Sequence, residues 1–245
     1  MFKNQTEKSM KDLIPTGKLR AGVAFAPSPS PLFVLKETDG TPRGVTADLA
    51  SALGEKLGVA VEFMVAPNTG QLTDAVEAGT IDVSFMPMDD ERRKRIDFGP
   101  AYFLVESTYM VTGASDITKV EQVDRAGVRV VGIANTTTIR AAGRSLKNTT
   151  IQAAPSIDDA MAMMKGGQAD AFALSRDSLP PYVAQLPGSR IVDGCFQQTG
   201  VAIAVPKGRP QALAYVTAFL EEAKLSGVVR RAFDAAGLKD LDVAP

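Results

Sequence analysis

The stretch "GVTADLASALGEKLGVAVEFMVAPNTGQLTDAVEAGTIDVSFM", residues 44–86, switches repeatedly between two hydrophobic periods. Over 44–58, Val45, Leu49, Leu53 and Leu57 recur at every fourth position, which predicts an amphipathic helix closed by Gly58. "VAVEFMV" (59–65) reads as a strand, "TGQLTDAVEAG" (69–79) as a second helix and "TIDVSFM" (80–86) as a further strand. Just upstream, "KLRAGVAFA" (18–26) reads as a strand that empties into the rigid loop "PSPSP". The order β-α-β-α-β predicts an α/β protein with an open, parallel sheet and crossover helices. Loops that follow such strands are where ligands sit in α/β sheets.

Working outward, "FLVESTYMV" (103–111) is a longer apolar strand, and the polar stretch "TGASDITKVEQVDRAG" (112–127) interrupts the alternation, so a domain crossover is placed there. The β-α-β logic then restarts with a strand over 128–134, a helix over 136–146, a strand over 150–154, a helix over 156–167 and a strand over 169–174. A helix through "SRDSLPPYVAQL" and the strand-like "SRIVDG" follow. Ser156 and Asp159 resemble a capping box with Asp in place of Glu. "GVAIAVPKG" (200–208) is another strand, and 209–238 forms two terminal helices separated near Gly227. The chain therefore reads as lobe one, lobe two and a return to lobe one.

Composition narrows the chemistry. Lys+Arg number 27 against Asp+Glu 28, a net charge of -1, so no global field favours nucleic acid or an anionic membrane. No run approaches the ~20 apolar residues of a membrane-spanning helix. "MFKNQTEKSMKDLIPTG" (1–17) is polar throughout, so a soluble chain carrying no export signal is expected. The sequence contains no His and a single Cys, Cys195. His-based triads, His metal ligands, an internal disulfide and CxxC sites are thereby excluded. Carboxylate-only metal sites and acid/base catalysis by Asp, Glu, Lys or Tyr remain formally open. No cofactor and no metal are expected.

The densest charge lies in "DDERRKRIDFGPAY" (89–102). Arg93 and Lys94 are expected to face solvent, and the run has no interleaved aromatics of the kind that stack single-stranded nucleic acid, so no nucleic-acid partner is expected. Phe98 is read as core, and Tyr102 as either core or pocket rim. Met161, Met163 and Met164 are read as helix packing and adjacent surface.

Six segments, taken in order, carry a resemblance: "GKLRAGVAF", "DGTPRGVTADLASALGEKLG", "GTIDVSFMPMDDERRKRIDFGPAY", "GVRVVGIANTTT", "GQADAFALS" and "GVAIAVPKG". Together they resemble the family-3 solute-binding proteins, the periplasmic components of ABC importers for polar amino acids and related solutes, over nearly the whole chain. The resemblance implies a periplasmic-binding-protein type II fold, with two α/β lobes joined by crossover segments near 112–116 and 198–204 that close on a ligand. Lobe 1 would comprise 1–112 plus 205–245, and lobe 2 would comprise 113–204.

The resemblance also implies roles for residues. The arginine of a hydroxyl-x-T-x-x-R pattern grips the ligand carboxylate, and that position falls on Arg92; a guanidinium suits the task because its planar fork makes two parallel bonds. The Thr of the pattern is replaced by Asp89, which can still N-cap the helix beginning "DERRKR", and the hydroxyl residue before it by Pro87. Thr137 and Thr138 match the family's Ser/Thr–Thr pair at a helix start, where backbone N–H groups favour an anion. Simple N-capping is the other reading of that pair, and Asn135 joins it as a candidate. The strand-end acid that pairs with a ligand α-ammonium in the family is here Ser175, which points to a carboxylate lacking the ammonium or to a ligand held mainly by hydrogen bonds. Asp177 follows, read as pointing elsewhere, and Arg176 is read as a second cation or an exposed residue. An aligned stacking aromatic falls on Thr69, Phe25 is read as either its substitute or a core residue of the alternating strand, and Asn68 and Thr69 point to a polar wall.

The expected function is that of a non-enzymatic, monomeric protein that captures a small polar solute bearing a carboxylate by hinge closure and delivers it to an ABC permease. Its expected location is the periplasm, or the cytoplasm if the gene lacks a signal. A dehydratase-type enzyme on the same scaffold, with Asp89, Glu106 and Asp177 as the carboxylates to test, is the alternative. A non-exported sensor or scavenger is a third reading.

Overall fold

The computed structural model describes residues 11–25, 30–36, 38 and 40–245. Most of the polar opening segment and of the loop after the first strand lie outside the described residues. The chain divides into two units, Met1–Leu104 with Gly200–Pro245, and Val105–Thr199.

In the first unit, β1 (Leu19–Ala24) pairs in parallel with both β4 (Val61–Ala66) and β5 (Val83–Pro87). Short strands β2 (Leu35–Lys36) and β3 (Pro42–Arg43) form a separate antiparallel pair. Helix α1 (Val45–Leu57) follows the fourfold repeat, with Leu49 and Leu53 fully buried. Gly58 ends it in the left-handed conformation at φ 68, as its position predicts. At the other end Gly44 has φ 126, and a Cβ there would meet the carbonyl oxygens of Pro31 and Phe33 at 2.8 and 2.9 Å. Only glycine satisfies both constraints.

Helix α2 (Thr69–Glu77) covers the other face of the sheet, where Leu72 and Val76 join Ala24, Ile81, Met86, Ile96 and Ala204 in a core cluster. The one-turn helix α3 (Asp90–Arg93) leads into β6 (Ile96–Val111), and Phe98 packs at the edge of that cluster. The terminal helices are α7 (Pro210–Leu225) and α8 (Val228–Ala235), the latter bringing Phe233 edge-on to Phe103 at 5.7 Å. The start of α7 is capped from a distant segment: the Asp12 carboxylate accepts the N–H groups of Gln211 and Ala212 at 3.1 and 3.0 Å.

In the second unit, β7 (Val130–Ile133) pairs in parallel with β8 (Ile151–Ala154) and β9 (Ala171–Ser175), and the end of β6 pairs antiparallel with β9. β10 (Arg190–Ile191) adds to β6. Alternation sorts the strands onto two cores. Tyr109, Val111, Val130, Ala171 and Ala173 face one, with Ala142 from α4 (Thr137–Ser145); Met110, Val131, Phe172 and Leu174 face the other, with Met161 and Met164 from α5 (Ile157–Lys165). The methionines are therefore packing residues. A 3₁₀ turn (Arg176–Ser178) and α6 (Pro180–Gln185) follow β9, and β11 (Gln197–Pro206) returns the chain to the first unit, where it pairs antiparallel with β5.

The unit boundaries differ from the expected ones. The first falls inside β6 at Leu104/Val105, before the polar stretch, because a single extended strand carries the chain onward; the polarity change at 112 marks only the end of that strand. The second, at Thr199/Gly200, lies within the expected 198–204 segment rather than at 204/205.

Candidate functional site

In the first unit the chemistry gathers where β5 ends. Asp89 N-caps α3, its Oδ1 accepting the Arg92 N–H at 2.9 Å. This turn folds the Arg92 side chain inward, so that only 4% of the residue is exposed. Its guanidinium donates to the Pro87 carbonyl at 2.5 Å and to the Thr69 hydroxyl at 2.6 Å. These two hydrogen bonds help to fix the plane of the fork. Thus Pro87, which replaces the family's hydroxyl residue, contributes its backbone carbonyl to the arginine.

Thr69 is itself buried at the first position of α2, and Asn68 is the cap of that helix, accepting the Gln71 N–H at 2.9 Å. Thr69 is therefore a partner of Arg92, and the Asn68 amide is occupied by the helix. Phe25 lies just past β1, half-buried, with its N–H on the Ala66 carbonyl at 3.1 Å. Tyr102 is not at a rim: it is fully buried against Phe85 in the core of this unit, and burial pushes its phenol well above the usual range. A side chain with no exposed surface is a packing residue, so Tyr102 leaves the candidate set.

The rest of the basic run is accounted for locally. Lys94 pairs with Glu91, and Arg95 with Glu77 and Asp74; these hydrogen bonds hold the Arg95 guanidinium above its usual range and the Glu77 carboxyl below its own. Arg93 is exposed and lies over the Phe98 ring at 5.8 Å.

In the second unit, β7 is followed by Asn135, whose φ of 62 turns the chain into α4. Asn tolerates this conformation better than most residues. The cap is Thr136, its hydroxyl accepting the Ile139 N–H at 3.2 Å and donating to the Ile133 carbonyl at 2.8 Å. Thr137 and Thr138, read as possible caps, are thereby released from that task. Both are buried, at 7% and 8% exposure. Thr138 Oγ1 meets Ser107 Oγ at 3.2 Å, and Ser107 is the cross-strand partner of Ser175. The Ser175 hydroxyl donates to Ser178 Oγ at 2.9 Å, and the Ser178 hydroxyl donates to the Asp177 carboxylate at 3.3 Å.

Two pairs of buried hydroxyls, Ser107 with Thr138 and Ser175 with Ser178, thus lie at one end of this unit's sheet, and the second pair reaches Asp177. Burial pushes the Asp177 carboxyl upward. Arg176 is turned to Glu106, at 2.9 Å, and to the Gly194 carbonyl, at 2.6 Å; Gln198 also donates to Glu106, at 3.1 Å. Arg176 is therefore a half-exposed paired residue and not a second cation held out for a ligand. Ser107 and Ser178 escaped the sequence reading. The signal was present in "FLVESTYMV", where Ser107 and Thr108 interrupt the apolar run of a strand.

A model of the family described as "Bacterial extracellular solute-binding proteins, family 3" matches residues 22–235. A glutamine-binding protein from Geobacillus stearothermophilus is 26% identical over 196 residues, covering 78% of this chain and 73% of that protein. A membrane-bound lytic murein transglycosylase F from Maricaulis maris is 30% identical over 136 residues, but this chain's match spans only 30% of that protein's length. Among solved structures, an ancestral amino-acid-binding protein described as a precursor of cyclohexadienyl dehydratase is 28% identical, with a TM-score of 0.73, and the match covers 93% of this chain and 98% of that one. The fold is thus that of the type II periplasmic binding proteins, and the chain belongs to the bacterial extracellular solute-binding proteins of family 3.

Proposed function

We propose that this protein captures a small carboxylate-bearing solute, an amino acid or a related organic acid, for import through an ABC permease. Arg92 holds the carboxylate, assisted by Thr69, and Thr137, Thr138 and Ser175 contribute from the second unit, with Asn135 and Phe25 as flanking contacts. Each unit supplies part of the contacts, so the solute favours a closed arrangement by hinge motion. The observation that carries this reading is the Arg92 guanidinium, withdrawn from solvent yet oriented by the Pro87 carbonyl and the Thr69 hydroxyl. An inward-folded, bidentate-capable cation on a one-turn helix suits carboxylate recognition.

The protein works without catalysis in this reading, as a monomer outside the cytoplasmic membrane. Two of the three carboxylates an enzyme would draw on are occupied, Asp89 by its cap and Glu106 by Arg176 and Gln198. The test is thermal melting against amino acids, keto and hydroxy acids, dicarboxylates and aromatic carboxylates, with Arg92→Lys in parallel. A true ligand at 100 times its Kd stabilises by about 2.7 kcal/mol. A carboxylate that shifts the wild type and not Arg92→Lys supports the reading. Turnover of a panel member into a new product, or no shift with any carboxylate, overturns it.

A further inference from the structure

A pocket of about 390 Å³ lies at the end of the second unit's sheet where β7 and β9 begin, opposite the end that carries Asn135, Thr137 and Ser175. That volume falls within the range of small-molecule sites. Two hydrogen-bonded turns frame it. The turn 112–115, which leaves β6, is closed by the Ser115 N–H on the Thr112 carbonyl at 3.1 Å, and the turn 125–128, which leads to β7, by the Val128 N–H on the Arg125 carbonyl at 3.2 Å. Ile117 and Val128, 1% and 8% exposed, supply apolar lining.

Each carboxylate at the pocket already has its arginine. Asp116 accepts two guanidinium bonds from Arg125, and Asp170 accepts the backbone N–H and two guanidinium bonds of Arg129. Arg190, by contrast, forms no ion pair among the described residues. It donates to the carbonyls of Ser115 and Ile117 at 2.6 and 2.7 Å, and its charge reaches the Asp116 carboxyl, which the Arg125 hydrogen bond already holds below its ordinary range. Three arginines thus stand against two aspartates. Donors are in surplus too: Arg125 has N–H groups beyond those that Asp116 engages, and the Thr112 hydroxyl makes no hydrogen bond among the described residues. The Asp116–Arg125 pair is half exposed or more on both sides, so a second acceptor can share the guanidinium at little cost.

We infer that this pocket is a second binding site, for a small organic anion: a carboxylate or phosphate taken up by Arg125 and Thr112, on a short apolar body that packs against Ile117 and Val128. The excess cation and the unspent donors select an acceptor, and the apolar lining selects against a bare ion. Such a ligand ties the segment leaving β6 to the turn that opens β7. The inference is independent of the function proposed above, whose second-unit residues follow the strands that this pocket precedes.

The test is NMR titration of the full, isotope-labelled chain with acetate, butyrate, inorganic phosphate and butyl phosphate, followed on the amide signals of Ala114 and Gly127 at the pocket. These signals are expected to move saturably with butyrate or butyl phosphate, and at lower concentration than with acetate or inorganic phosphate; the tighter of the two butyl compounds names the oxyanion. Arg125→Gln is expected to weaken binding by about tenfold or more. Asp116→Asn, which removes a negative charge and frees the guanidinium, is expected to tighten it by about threefold. The opposite signs separate anion recognition from the loss of an ion pair, since a purely structural pair would make the two variants alike. The inference is wrong if none of the four probes moves the two signals in the wild type, if shifts occur only at Asn135–Thr138, if the short-bodied probes bind as tightly as the butyl ones, or if Asp116→Asn weakens binding as Arg125→Gln does. None of these results bears on the solute-binding reading, which Arg92→Lys tests separately.

Discussion

Arg92 donates a 2.6 Å hydrogen bond to the hydroxyl of Thr69, which joins the turn after β5 to the first residue of α2. A residue on one element orients the charged group of another, and both side chains lie out of solvent. Thr69→Val preserves the shape and removes the acceptor. It should cost about 1–3 kcal/mol of stability and weaken carboxylate binding by loosening the guanidinium, while Thr69→Ser restores both. Melting and titration of the two variants check this.

The Asp177 carboxyl gives a pH prediction with a defined sign. Its folded-state pKa is raised above the ordinary 3.8 by desolvation. The folded protein therefore holds this proton more tightly than the unfolded chain, so the group costs stability above its folded pKa and the cost disappears as pH falls below it. Ligand-free Asp177→Asn should melt above the wild type at neutral pH, and the gap should close in acid. A gap that widened in acid would mean that the carboxylate is stabilised in place.

Arg20 and Asp82 in the first unit are repeated by Arg129 and Asp170 in the second. In each pair the aspartate accepts the arginine's backbone N–H and two guanidinium bonds, and returns its own N–H to the arginine carbonyl at 2.8 Å. The environments differ: the Asp82 side chain is fully buried, whereas those of Asp170 and Arg129 are 31% and 54% exposed. Asp82→Asn should therefore destabilise by about 3–5 kcal/mol and Asp170→Asn by no more than about 1 kcal/mol. Denaturant midpoints would show the difference, and equal effects would refute the argument from burial.

Asn135, at φ 62, sits in the left-handed region. Asn135→Gly should leave stability nearly unchanged, whereas Asn135→Val should cost about 1–2 kcal/mol because a β-branched residue resists that conformation.

Tyr102 has a fully buried hydroxyl with no hydrogen-bond partner among the described residues. Tyr102→Phe should be neutral or stabilising by about 1 kcal/mol and leave solute affinity untouched, as suits a core residue.

Much of the fold could be read from local patterns. The fourfold repeat from Val45 to Leu57 with Gly58 gives α1 almost to the residue, and Ser156 caps α5 as expected, accepting the Asp159 N–H at 3.1 Å. The capping box is altered in detail: the Ser156 hydroxyl also donates to the Asp159 carboxylate at 2.6 Å. Such features were visible because helix period and caps depend on neighbours within four positions. Less visible were the unit boundary inside β6 and the cap of α7 by Asp12, for both depend on segments far apart in the chain.

The sequence by itself determined the alternating α/β order, the absence of histidine chemistry and the arginine at the start of the turn after β5, since each is a matter of composition or short-range pattern. Only the tertiary structure decided which side chains are spent and which are available. It assigned Thr136 to the cap and thereby released Thr137 and Thr138, buried Tyr102, and turned Arg176 to Glu106 while the Ser178 hydroxyl took up the Asp177 carboxylate. The reason is physical: a polar group's role is set by its hydrogen-bond partners, and those partners come from strands and turns that sequence order does not bring together.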